Sequence, residues 1–460
     1  MKRALLGVVV ASCILWGCRA DNPAALEGDE GQVVPEANSV EPDDYVLDVA
    51  GATSIHLDTG SIAVSGSGVS VDGTTATITR AGTFIVQGTL SEGQVKIDAL
   101  ATEKVKLILD GVDITTTDDA PIFVKNAGKA ILYLQPDTVN TLTDGTASTR
   151  DGAIHCKTKL SIFGPGKLKV TGHVDDGINA QGGIIIEDGV YDVRSLESGI
   201  KSDINVIVNG GTYTIDAGND GIHGEESLTV NGGDITVTRS VEGLEGATVT
   251  VTGGTIHIAS SDDGVNSSPI GDNNDPSARP GPGGGGGSSN PFYMRGGYLY
   301  ANADGDGLDI NGPIEMTGGT IILDGPTAND NGALDYQTSF QMSAGYLLAV
   351  GSSGMALAPS KTSPQNSIGI AFSSAQAAGT VVHVQNAAGD DILTFRPAKR
   401  YQTVVLSSPL ITRTTGYSLY VGGSSTGTEK DGLFSGGTYY GGTRKATFDV
   451  SSALTVVSVS

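Results

Sequence analysis

The sequence predicts an all-β protein: a right-handed parallel β-helix with ~22-residue coils, plus a small C-terminal β domain or cap. Three observations carry this. Glycine supplies 67 of 460 residues, about twice ordinary usage, without the Gly-x-y period of collagen. The short runs between glycines are rich in Thr, Val and Ile, and no segment has a 3.6-residue apolar pattern, so helices are not expected. An acid-glycine-aliphatic motif also returns at a fixed step: Asp176-Gly177-Ile178, Ser198-Gly199-Ile200, Asp220-Gly221-Ile222, Glu242-Gly243-Leu244, Asp263-Gly264-Val265 and Asp306-Gly307-Leu308. Its glycines step by 22, 22, 22 and 21 residues, then by 43.

A second glycine column, Gly189, Gly211, Gly233, Gly254, Gly297 and Gly319, keeps the same step. After each, the second and fourth residues are apolar and the third mostly polar, the alternation of a half-buried strand. One such coil cannot bury its inward face, but stacked coils share a continuous core. Parallel crossovers run right-handed.

The elements follow in order. Lys2 and Arg3, then apolar Ala4 to Leu15, form an export signal over 1–18, and Leu15-Trp16-Gly17-Cys18 is a lipobox that makes Cys18 the lipidated residue. The expected location is therefore an exported lipoprotein, membrane-anchored at the bacterial cell surface or in the periplasm. Residues 19–48 are acidic and proline-dotted, a flexible tether. The β-helix spans 49–366. The 43-residue step is one coil plus a Gly-rich flexible loop at 267–290, and beyond 366 the period fails. Cys156 is the one cysteine left for the folded part, so no intrachain disulfide is available.

With 51 acidic and 27 basic side chains the net charge is -24. That excludes nucleic acid as a partner and makes acidic polymers unfavourable unless a cation intervenes. Stacking turns sequence positions into columns about 4.8 Å apart. The turn column reads Asp176, Ser198, Asp220, Glu242, Asp263, Asp306 and Asn331, and the position before it offers Asp175, Glu197, Asn219, Asp262 and Asp330, with Asp304 close by. Two charges at that spacing repel by roughly 3–4 kcal/mol at an effective dielectric of about 20. Calcium, which takes oxygen ligands, relieves this. The same residue types also suit sharp solenoid corners with solvated charges. The position after the aliphatic residue, Asn179, Lys201, His223, Glu245, Asn266 and Asp309, is expected to point outward and to line a sugar-binding groove. Asn179, Asn266 and Asp309 add candidate calcium ligands. The histidines show no zinc-type spacing. Tyr191 and Tyr213 fall at inward positions, whereas Tyr298 and Tyr300 fall outward beside Phe292 and Tyr293, the best sugar-stacking candidates.

These turns, with Leu107-Ile108-Leu109-Asp110-Gly111-Val112, Asn140-Thr141-Leu142-Thr143-Asp144-Gly145, the Gly-rich insert, Phe395-Arg396-Pro397-Ala398-Lys399 and Tyr420-Val421-Gly422-Gly423, resemble the bacterial carbohydrate-binding-domain family of calcium-binding, pectate-lyase-like parallel β-helices. The likeness covers roughly residues 50–455. It implies a secreted, surface-held polysaccharide-binding protein for cellulose or pectin-like polygalacturonate, with calcium in the helix. Ser198, Glu242 and Ser353 depart from aspartate in the turn column. The expected protein is a non-catalytic monomer; the alternatives are a calcium-dependent lyase, which needs a base such as Lys201 or Arg239, and a structural or adhesive protein.

Overall fold

Three strands and three turns make one coil. Asp176–Ala180, Ile184–Ile186 and Val190–Ser195 are followed by Ile200–Ser202, Asn205–Val208 and Thr212–Asp216. Each strand pairs in parallel with its counterpart one coil on, so the helix has three faces and about ten coils. The structure, a computed structural model, describes residues 36–270 and 289–460. The signal with Cys18, tether residues 19–35 and insert residues 271–288 lie outside the described residues. Among the described residues there is no helix.

The inward positions stack like on like. Face one buries Ile178, Ile200, Ile222, Leu244, Val265, Leu308 and Leu334 in one register-aligned column. On face three Tyr191 and Tyr213 stack at 4.7 Å between ring centroids, and their hydroxyls donate to the Asp188 and Gly210 carbonyls. This is the expected core ladder. Cys156 is buried and unpaired, and burial raises its pKa to about 12.

The two glycine columns have different causes. Gly211 has φ +98° and Gly233 has φ +97°, left-handed backbone that favours glycine. The turn glycines are instead a matter of close approach: a Cβ on Gly199 would sit 2.6 Å from the Gly221 carbonyl oxygen, and one on Gly221 would sit 2.5 Å from that of Gly243.

Where the coil length changes, so do the columns. Val265 pairs directly with Leu308, and Phe292 with Val249, so the long step leaves the register intact. The expected loop limits shift, because Ser267 belongs to the strand Val265–Ser267 and Asn290 is buried, donating to the Ala247 and Ser268 carbonyls. The coil from Leu308 to Leu334 is 26 residues long, which puts Gly332 opposite Asp306 in place of the expected Asn331.

Both ends switch from parallel to antiparallel pairing. Thr53–Thr59 forms a hairpin with Ser61–Ser65. At the other end Tyr346–Gly351 pairs antiparallel with Tyr401–Ser407, which pairs with Ser367–Gln376. A second apolar core unites this region with the last coils, so residues 367–460 close the helix end and cover its otherwise open sheet edge.

Residues 36–48 depart from the tether reading, because they lie on the helix wall. The Asn38 backbone N–H donates to Asn205 Oδ1 at 2.9 Å, and its amide donates to the Leu160 carbonyl at 2.7 Å. Lys104 and Lys129 are register neighbours, a like-charge pair that needs counter-charge. Asp44, fully buried, supplies it at 3.0 and 2.7 Å. Polar composition concealed this, since the strap binds largely by paired charges and hydrogen bonds, with Tyr45 against Phe163 as an aromatic contact. Removing Asp44 leaves Lys129, 1% exposed, with only the more distant Glu41 carboxylate at 3.8 Å. Asp44→Ala should cost about 3 kcal/mol in chemical denaturation, the scale for breaking a buried pair. Exposed Asp43→Ala should leave the midpoint nearly unchanged; equal effects would mean that the strap contributes nothing specific.

Candidate functional site

Face one converts the repeated motif into two adjoining polar columns. Asn179, Lys201, His223, Glu245, Asn266 and Asp309 pair in register and continue to Asp335. Beside them run the turn residues Asp176, Ser198, Asp220, Glu242, Asp263 and Asp306. The outward column is less exposed than expected: Asn179, His223 and Asn266 are each under 10% exposed. The turn carboxylates fold against them. Asp176 Oδ2 accepts from the Asn179 amide at 2.8 Å, and Asp220 Oδ2 lies 3.0 Å from His223 Nδ1.

Part of this is turn chemistry. Asp176 accepts the Ser198 backbone N–H, Asp263 that of Asp306, and Asp306 that of Gly332, at 2.6–2.8 Å. Each carboxylate thus caps the next coil. The remaining charge is handled differently along the column.

In the earlier coils basic side chains supply the counter-charge. Burial works to lower the Lys201 pKa, but Asp176, Asp220, Glu225 and Asp175 outweigh it and the net shift is upward. His223 lies among Asp220, Glu245 at 3.2 Å and Glu225 at 3.3 Å. Burial opposes its charge, yet those partners raise its pKa to about 10. Linear spacing hid this group, because its members come from neighbouring coils. Asp220, His223 and Glu245 bring ligand atoms within 4.8 Å of one another.

In the later coils no basic residue enters the two columns. Asp263 is raised to about 9, by burial first and then by Asp309, Asp262 and Asp306. Asp306 is raised to about 7 by burial, with Asp309, Asp335 and Asp262 adding to it. Burial, with Glu245 and Asp220, holds Glu242 well above the usual range. Glu242 Oε2 and Asn266 Oδ1 are buried without a hydrogen-bond partner, as is Asn179 Oδ1 further up. Asp306, Asp309 and Asp335 offer ligand atoms within 4.8 Å.

Other expected ligands stand apart. Glu197 and Asp262 are exposed at the rim, Asp175 is half-buried there, and Asn219 donates to Asp220 at 3.2 Å. Asp304 and Asp330 fall one residue outside the column and are exposed, Asp304 pairing with Lys399 at 2.9 Å. Asp335 and Glu225 were missed: the 26-residue coil displaced the first from the 22-residue frame, and the second lies beyond the repeated motif.

The tyrosine platform is corrected outright. Tyr298 and Tyr300 lie on face three, packed against the C-terminal core. The Tyr298 hydroxyl donates to Asp431 at 2.6 Å, and Lys430 Nζ sits 3.6 Å from its ring centroid. Outward from the helix here means against the cap, where both rings are only partly exposed.

A model of the carbohydrate-binding domain-containing protein family matches residues 72–327, more than half the chain. The chain belongs to that family. A carbohydrate-binding domain-containing protein of Acetivibrio thermocellus is 30% identical over 136 residues, which cover 28% of this chain and 48% of the relative, so the match spans about half the relative's length. A solved structure described as the polysaccharide lyase-like protein from C. thermocellum, gadolinium derivative, is 25% identical with a TM-score of 0.45, covering 58% of this chain and 96% of that one. Carbohydrate binding is thus the family-level description of the domain that carries the acid columns.

The raised carboxyl pKa values carry a pH dependence. Asp176 and Asp306 near 7 and Asp263 near 9 compare with about 3.9 in an unfolded chain. The folded state binds more protons, so stability falls as pH rises from about 4 to about 9. His223, also raised, works in the same direction above about 6.5. In EGTA the melting temperature should therefore decline over that window; a flat profile would mean that the carboxylates are solvated.

Proposed function

We propose that this is a surface-anchored, non-catalytic polysaccharide-binding protein, held through lipid on Cys18, whose later face-one coils bind calcium. The observation carrying the calcium reading is the pair of buried, unpartnered oxygens, Glu242 Oε2 and Asn266 Oδ1, at the point beyond His223 where no further basic side chain enters either column. Further along, Asp306, Asp309 and Asp335 bring their oxygens within 4.8 Å of one another, an all-oxygen donor set of the kind a hard cation prefers. Calcium, when bound there, supplies positive charge to a polyanionic chain. Asp176 and Asp220 are less suited, since Lys201 and His223 already supply that charge.

The sugar follows from the same charges. A groove of amides, carboxylates and two cations, without an open aromatic face, fits a carboxylated polysaccharide of the pectin type better than cellulose. Both His223 ring nitrogens already face carboxylates, which leaves the half-buried Lys201 as the cation of this column that meets a sugar carboxylate. Proton abstraction by a lysine calls for a depressed pKa. Lys201 is shifted upward, and Arg239 is paired with Asp216 at 2.6 Å, which supports the binding reading over the lyase alternative for these two residues.

Isotherms on polygalacturonate and on cellulose, with calcium and with EGTA, test this. Calcium should strengthen polygalacturonate binding at least tenfold, with little effect on cellulose, and Lys201→Ala should weaken it about threefold. Equal polygalacturonate isotherms in calcium and EGTA would contradict the reading. Unsaturated products absorbing near 235 nm would restore the lyase.

A further inference from the structure

The C-terminal region has a different electrostatic character from the rest of the chain. Residues 367–460 contain seven basic and five acidic side chains, within a chain of net charge -24. Their six-stranded sheet places the strands Val382–Gln385, Tyr417–Val421 and Thr443–Phe448 side by side. One face of it, with Val382, Val384 and Leu419, packs into the core. The other aligns His383, Tyr420 and Arg444 across the three strands.

A short antiparallel pair, Ser424–Ser425 with Tyr439–Tyr440, lays the Tyr439 ring on this face. The Tyr439 ring stacks on His383 at 3.9 Å and 13° and meets Tyr420 edge-on at 6.0 Å. Its hydroxyl donates to the Gly422 carbonyl at 2.8 Å and passes over Gly442, where a Cβ would collide with it. Tyr439 is therefore fixed in place before any ligand arrives. Tyr440 beside it is 55% exposed, and Gln385 donates to the Tyr420 hydroxyl at 3.3 Å. A register shift after Leu419 sets Arg444 and Lys445 against a single step of the partner strand, the kind of bulge that re-aims side chains. Both are exposed, and neither makes an ion pair among the described residues.

We propose that this corner is a second carbohydrate-binding site, one that takes an acidic sugar directly and without a metal. Tyr439 offers pre-set ring surface at low entropic cost, and Tyr440 an exposed ring next to it in the chain. Arg444 and Lys445 supply the two charges that a uronate carboxylate needs, Arg444 with a planar fork suited to bidentate contact. The site is separate from the face-one columns, whose carboxylates meet a uronate only through a cation. It also lies outside the matched residues 72–327.

The test uses the full chain in EGTA, which removes the cation route, titrated with an alginate oligosaccharide and with a neutral glucan of equal length. Wild type should bind the alginate oligosaccharide and prefer it at least tenfold. The double variant Arg444→Gln/Lys445→Gln should lose about tenfold of that affinity and most of its salt dependence. Tyr440→Ala should weaken it about fivefold. Because these side chains are exposed, the melting temperature should not move. No alginate binding in EGTA, or unchanged affinity in both variants, would overturn the proposal. Failure of calcium-dependent binding on face one would not, since no calcium is present here.

Discussion

Parallel stacking at about 4.8 Å per coil is the constraint on which the rest of this molecule depends. It forces each residue to lie against its counterpart one coil earlier and later. Apolar positions profit at once, as the Ile178-to-Leu334 column does. Glycine becomes obligatory where neighbouring turns touch, as at Gly199. For charged positions the same spacing is a cost, because like meets like at a distance where repulsion is severe.

The protein meets that cost in three ways. Lys104 and Lys129 are neutralised from outside the coil by the strap residue Asp44. In the earlier face-one coils, Lys201 and His223 are set among the turn acids. From Asp263 to Asp335 neither solution is present in the columns, and Asp263 is displaced furthest, to about 9, against about 7 for Asp176 and Asp306. The polar face therefore changes character along its length, from acids that share the basic neighbours Lys201 and His223 to acids with no basic neighbour in the columns.

The sequence made legible what repeats and little of what does not. Glycine steps and alternating apolar residues revealed the coils, the Tyr191–Tyr213 ladder and the column from Asn179 to Asp309, since each depends only on period. Asp335 escaped because four extra residues precede it. The strap over 36–48 escaped because its contacts, Asn38 to Asn205 among them, join residues 167 apart in the chain. Tyr298 and Tyr300 were correctly read as pointing away from the helix core, but a single coil says nothing of the cap that covers them. Glu242 looked like a departure from an aspartate pattern, yet its longer side chain ends in the unpartnered oxygen that marks the uncompensated stretch.

The most direct measurement of this division is calcium titration calorimetry on wild type, on Asp263→Asn/Asp306→Asn and on Asp176→Asn at neutral pH. Wild type should bind calcium, the double variant should lose at least tenfold in affinity, and Asp176→Asn should bind as wild type does. No calcium heat in wild type, or a loss in Asp176→Asn equal to that in the double variant, would contradict the division of the column into compensated and uncompensated halves.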